Sequence, residues 1–158
     1  MVSTIIITFV CVAVGQSFPP TAQAQTFNDP GFTSEVVTTL PAFTPVGITW
    51  ASDGRMFIWQ KDGLVRVFQN GQLLATPFID LRGSVNTVED RGFIGFALHP
   101  NFLLNGLAYM AYVFEPNGNP GDASPKISRV TRVTADPLNL NVTLPSSEVI
   151  LLQIPAEG

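Results

Sequence analysis

The chain has 158 residues, enough for one ordinary domain. At 46% hydrophobic and 13% charged residues it is too apolar to be a disordered chain. Its net charge is −4 and its Lys and Arg residues are scattered. That argues against nucleic acid or an anionic membrane surface as partner, since both need clustered positive charge.

In chain order, the first feature is an apolar stretch of 12 residues, Thr4 to Gly15. A membrane-spanning helix needs about 20, so no stable membrane span is expected. Ala22-Gln23-Ala24 follows with small residues at cleavage spacing, although no Lys or Arg precedes the apolar core. The pattern predicts a signal peptide over residues 1–24, cleaved after Ala24, and a secreted or periplasmic protein. Cys11, the only cysteine, leaves with that peptide, so the exported chain has no disulfide. Residues 25–34 read as a polar leader.

From there the texture is strand after strand. Strands are expected over Val36–Leu40, Val46–Trp50, Arg55–Gln60 and Leu64–Gln69, from their β-branched and aromatic content. The glycines of Asp53-Gly54, Asp62-Gly63 and Asn70-Gly71 lie nine and eight residues apart, which suits tight hairpin turns in a meander. Pro77 to Leu81 and a polar stretch from Arg82 to Asp90 lead to a second group. Its strands are expected over Phe93–His99, Leu107–Phe114 and Lys126–Thr134, the last reading as an alternation of Ile127, Val130 and Val133 with polar residues. Glu148 to Ile154 is a continuous apolar run of the kind seen in strands buried on both faces. No stretch has a helical period. Asn141-Val142-Thr143 is a glycosylation sequon, relevant in a eukaryotic host.

The fold class is therefore all-β. Two groups of about four strands, each about 50 to 60 residues, fit two propeller blades. The same spacing also permits a β-sandwich.

Three segments carry a resemblance. Gly47 to Ile58 is an apolar strand turning through Asp53-Gly54 into another. Asp62 to Phe68, with Asn70-Gly71, is the next hairpin. The most specific is Glu89-Asp90-Arg91-Gly92-Phe93-Ile94-Gly95-Phe96-Ala97-Leu98-His99-Pro100-Asn101-Phe102, followed by Asn105-Gly106 and the aromatic strand from Leu107. In order and spacing these resemble the N-terminal portion of the glucose/sorbosone dehydrogenase family, to which soluble pyrroloquinoline-quinone (PQQ) sugar dehydrogenases belong. The resemblance implies a partial six-bladed β-propeller over residues 35–158. It also implies oxidation of an alcohol group of an aldose or related sugar, with PQQ and calcium as cofactors and a separate electron acceptor. The cofactor carries the redox step and the protein supplies position and a base. The family's catalytic histidine, PQQ-gripping residues and calcium ligands fall beyond the matched segments. No catalytic, cofactor-binding or metal residue is thus expected in this chain, which would be inactive alone.

Within it, Asp90 and Arg91 align with the step where some family members place a sugar-contacting Gln, and they are the candidate substrate-binding residues; a loop salt bridge of Arg91 with Asp90 or Glu89 is the plainer reading. His99, the only histidine, matches a strand end and is expected to cap a turn. The oxygen side chains of Glu115, Asn117, Asn119 and Asp122 loosely resemble a calcium loop but lack its full acidic pattern, so a solvated hairpin loop is expected. Trp50, Trp59, Tyr109 and Tyr112 are expected in the core, although each could stack on a sugar.

Two blades cannot close a six-bladed ring, so Val149-Ile150-Leu151-Leu152 would lie exposed and the chain would self-associate through open sheet edges. Two other functions fit the same texture: a non-catalytic propeller binding module, and a lactonase-like propeller hydrolase, which needs acidic calcium ligands facing its channel.

Overall fold

A computed structural model describes residues 5–7, 28–38, 40 and 44–155. The chain divides into two compact units, Met1–Phe43 and Thr44–Gly158. In the first, β1 (Ile5–Ile7) pairs in parallel with β2 (Thr33–Glu35). A strand thus forms just before the expected Val36–Leu40, and residues 36–38 carry none. Apart from Ile5–Ile7 the expected signal peptide, its cleavage point at Ala24 and Cys11 lie outside the described residues.

The second unit holds two antiparallel sheets. The first sheet is a meander of β3 (Pro45–Trp50), β4 (Met56–Gln60) and β5 (Leu64–Gln69). The short strands β6 (Gln72–Leu73) and β7 (Ile79–Asp80) both pair with β5. Its turns fall at Gly54, Gly63 and Gly71, all with positive φ, as the Asp-Gly and Asn-Gly pairs predict. The second sheet runs β8 (Phe93–Leu98), β9 (Leu107–Phe114) and β10 (Ile127–Asp136). The far side of β10 pairs with β12 (Val149–Pro155) along most of its length and with β11 (Asn139–Thr143) at its end. A single helical turn, α1 (Phe102–Asn105), joins β8 to β9 and ends on Gly106 in the left-handed region.

Each sheet is built from consecutive strands. Among the described residues no strand crosses from one sheet to the other, as a Greek-key sandwich would require. The first strands, β3 and β8, pack beside each other. This is the arrangement of two successive blades with their inner strands adjacent.

The core lies between the blades and is aromatic. Phe57 of β4 meets Phe78 edge-on at 5.2 Å and Phe102 edge-on at 5.6 Å, and stacks on Phe96 at 5.9 Å. Burying a side chain of this size stabilises by about 1.5–3 kcal/mol. Tyr112 is buried too, stacked on Phe93, with its hydroxyl donating to Glu148 Oε1 at 2.7 Å; burial and that bond push the phenol well above its ordinary range.

Two expectations change. On β10 the buried positions are Thr131, Val133 and Ala135; of Ile127, Val130 and Val133 only Val133 is among them, since a spacing of three cannot lie on one face of a strand. β12 forms as expected but is not buried on both faces. It is the outer strand of its sheet, and Val149, Ile150, Leu151, Leu152 and Ile154 are all exposed, as expected of Val149 to Leu152 where two blades stand alone.

Candidate functional site

The inner strands have an entry end, where β3 and β8 begin, and an exit end, where they finish. Three connections meet at the entry end of the second blade: the step 88–92 into β8, the β4–β5 turn, and the loop 115–126 between β9 and β10. The step is fixed from the neighbouring blade. Lys61 Nζ donates to the Glu89 carbonyl, and Phe93 N–H donates to the Lys61 carbonyl at 2.8 Å. Gly92 sits against this contact at φ 157°; a Cβ there would come within 2.9 Å of the Lys61 carbonyl oxygen and 2.8 Å of its Cγ. That close approach accounts for glycine in the acidic-Arg-Gly step.

Asp90 and Arg91 occupy this step and part company. Asp90 is exposed, and its carboxylate makes no hydrogen bond or ion pair among the described residues. The Arg91 guanidinium crosses to the 115–126 loop. Its NH1 donates to the carbonyls of Ser124 at 2.9 Å and Asp122 at 3.4 Å, and its NH2 to that of Ala123 at 3.3 Å. The salt bridge expected with Asp90 or Glu89 does not form; three successive carbonyls offer the planar guanidinium a better-matched row of acceptors.

The loop that Arg91 grips is a hairpin loop between β9 and β10, exposed over most of residues 116–125 as expected, but its two ends are anchored by buried charge. Glu115 is fully buried and Lys126 nearly so, with Lys126 Nζ 3.1 Å from Glu115 Oε2 and 2.5 Å from Asp122 Oδ2. Buried Asn86 donates to Glu115 Oε2 at 2.9 Å and to the Asp122 carbonyl at 2.7 Å. Burial opposes the charge on Glu115, but bonds from Asn86, Asn117 and Lys126 outweigh it and hold its carboxyl below the ordinary range. Hydrogen bonds from Lys126 and Ser124 hold Asp122 well below that range. Against its own burial, the two carboxylates raise Lys126. Two of the four side chains that suggested a cation site, Glu115 and Asp122, are thus occupied by an internal ammonium, and Asn119 Oδ1 accepts from Gly121 N–H at 3.3 Å. Among the described residues no cluster of His, Cys, Asp and Glu could hold a metal ion.

Lys61 is engaged as described above, and Arg82, by the β4–β5 turn, pairs with Asp80 Oδ2 at 2.6 Å. At this step and loop Lys61, Arg91 and Lys126 are committed to carbonyls and carboxylates of the chain itself, so this part of the surface does not fit the carboxylates of PQQ or a calcium ion.

His99 lies at the exit end, away from this site. Its Nδ1 accepts from Asn101 N–H at 3.0 Å, which caps the turn into α1. Of the four aromatics, Tyr112 is buried and Trp59 packs against the core, with Phe96 at 6.0 Å. Tyr109 lies beside His99, and Trp50 is 53% exposed. The sequon's Asn141 is also engaged: Nδ2 donates to Gln69 Oε1 at 3.0 Å and Oδ1 accepts from Arg55 at 2.7 Å, tying the blades at the exit end.

The chain has measurable relatives. Human Hedgehog-interacting protein is 32% identical over 75 residues, covering 43% of this chain and 11% of that protein, and the mouse protein matches equally. An oxidoreductase of Thermus thermophilus, assigned as a glucose dehydrogenase, superposes with a TM-score of 0.52 at 24% identity, over 69% of this chain and 28% of its own. The PQQ-bound aldose sugar dehydrogenase of Streptomyces coelicolor gives a TM-score of 0.43 at 17% identity, over 70% and 29%. The chain thus spans less than a third of each of these proteins. The Thermus likeness shows the fold, a β-propeller of which this chain makes two blades. The glucose/sorbosone dehydrogenase family model matches residues 43–158, and the chain belongs to that family.

Proposed function

We propose that the chain acts as the N-terminal blades of a propeller that oxidises a sugar hydroxyl, presenting the substrate end of that propeller and inactive on its own. The observation that carries this reading is the entry-end step. Asp90 stands exposed with an unspent carboxylate, on a backbone clamped by Lys61 and beside a loop held by Arg91. A free carboxylate on a rigid step can accept hydrogen bonds from sugar hydroxyls. Arg91 is a positioning residue, since its donors go to the loop. In the family PQQ accepts the electrons and calcium accompanies it, and on this reading the residues that hold them lie beyond the matched segments.

The experiment is sugar-dependent dye reduction by the complete gene product, reconstituted with PQQ and calcium. Asp90→Ala is expected to raise KM for the sugar about tenfold with a smaller change in kcat, as for loss of a binding contact. No reduction with any aldose would remove the dehydrogenase reading and leave the binding module, which the Hedgehog-interacting relatives favour. An unchanged KM would remove Asp90 from the site. We also infer export, with Gln25 as the N-terminus of the exported protein. Among the described residues no helix is long and apolar enough to cross a membrane.

A further inference from the structure

At the exit end, opposite the entry-end step, the last residues of β3 and β8 enclose a cleft of about 250 Å³. Thr49, Trp50 and Ser52 line one side and Leu98, His99 and Pro100 the other; none of the lining residues is charged. We propose that this cleft binds a neutral, pyranose-sized polyol, as a site separate from the oxidation site and independent of the redox reading.

Three observations carry it. The first is Trp50, at the end of β3 and 53% exposed in a chain whose other tryptophan packs against the core. An accessible indole offers an electron-rich face on which the C–H bonds of a sugar ring can stack. The second is the state of His99. Leu107 N–H donates to Asn105 Oδ1 at 3.0 Å, which fixes that amide so that its Nδ2 faces His99 Nδ1 at 2.8 Å. Asn101 N–H donates to the same Nδ1 at 3.0 Å. With Asn101 N–H donating to it, Nδ1 is an acceptor, which leaves Nε2 as the ring nitrogen that can donate. His99, which lines the cleft, thus has an Nε2 donor that makes no hydrogen bond among the described residues. The third is the balance of the lining. Ser52 and Thr49 add hydroxyls and Leu98 and Pro100 add apolar surface. A cleft without charge gives no grip on a phosphate, a carboxylate or an ammonium. Its volume lies just below the usual range for ligand pockets, which suits one ring and not an oligosaccharide.

The test is a titration of the full chain with D-glucose, followed by the indole N–H resonances of Trp50 and Trp59. The Trp50 signal should move with a dissociation constant on the order of millimolar while Trp59 stays still. Cyclohexanol, a ring of similar size with one hydroxyl, should move Trp50 much less. Magnetisation transfer from protein to glucose should report an affinity about tenfold weaker for Trp50→Ala and about two- to fivefold weaker for Ser52→Ala, both exposed positions whose loss leaves the core intact. A stationary Trp50, equal binding by Trp50→Ala, or an equal response to cyclohexanol would each overturn the proposal.

Discussion

Strand β4 reaches β5 through Lys61-Asp62-Gly63, whereas β9 reaches β10 through the residues from Glu115 to Lys126, at the same end of neighbouring blades. The short connection needs only local chemistry. Gly63 takes φ 102° and its N–H returns to the Gln60 carbonyl at 3.1 Å. The long one has more backbone than local bonds can hold, and a flexible loop of that length costs entropy to order. It is held instead by its own buried ammonium between two carboxylates, and from a distance by Asn86 and Arg91. A blade connection can therefore be fixed by turn geometry or by buried charge, and only the second makes the site wall sensitive to electrostatics.

Breaking that charge cluster should have the largest effect. Lys126→Ala leaves Glu115 buried beside Asn86 without its cation, and should lower the melting temperature by on the order of 10 °C and open the loop to proteolysis. Glu115→Leu with Lys126→Met removes both charges and should recover part of the loss; if the double variant melts no higher than Lys126→Ala, burial of an unpaired carboxylate is not the cause. Gly92→Ala comes next. It drives a Cβ into the Lys61 carbonyl and should cost about 1–3 kcal/mol in a denaturant titration. A loss close to zero would mean that the two connections are not stitched through Gly92.

The cluster also sets a pH window. Glu115 and Asp122 titrate lower when folded, so their contribution is present above the ordinary carboxylate range and is lost as pH falls through their folded values. Lys126 titrates higher when folded, so its contribution is present below the ordinary lysine range and is lost as pH rises through its folded value. Stability of the wild-type chain should form a plateau between about pH 5 and 10. The Glu115→Leu, Lys126→Met double variant should show a shallower acid limb, and an identical limb would place the acid-labile groups elsewhere.

The contrast between the two connections also marks what was legible in the sequence. β5 and β9 follow from Leu64–Gln69 and Leu107–Phe114, and the tight turns from Asp-Gly and Asn-Gly, because all of these depend on neighbours in sequence. The charge cluster was not legible. Asn86 meets Glu115 across 29 residues and Arg91 meets Ser124 across 33, so Glu115, Asn117, Asn119 and Asp122 read as a hydrophilic loop. β12 shows the same limit from the apolar side. Val149 to Leu152 announces a strand with two apolar faces, but pairing on one edge of β10 covers neither face. Asp90 and Arg91 come together in one motif, yet only the coordinates of the 115–126 loop separate the free carboxylate from the committed guanidinium.

The smallest effect isolates Arg91. Its three contacts are partly exposed hydrogen bonds to carbonyls that water can also satisfy, so Arg91→Ala should cost only about 1 kcal/mol. The melting temperature of the whole domain should hardly move, because Lys126 still anchors both ends of the loop through Glu115 and Asp122. The loss should appear locally. Thr87 N–H donates to the Pro120 carbonyl at 2.9 Å and Asp122 N–H to the Asn119 carbonyl at 3.0 Å, and both amides should exchange about fivefold faster with deuterium. Arg91→Lys should fall between, since one ammonium cannot span three successive carbonyls as the planar fork does. Unchanged exchange at both amides would mean that the buried cluster alone holds the loop, and Arg91 would then be free to turn toward a ligand.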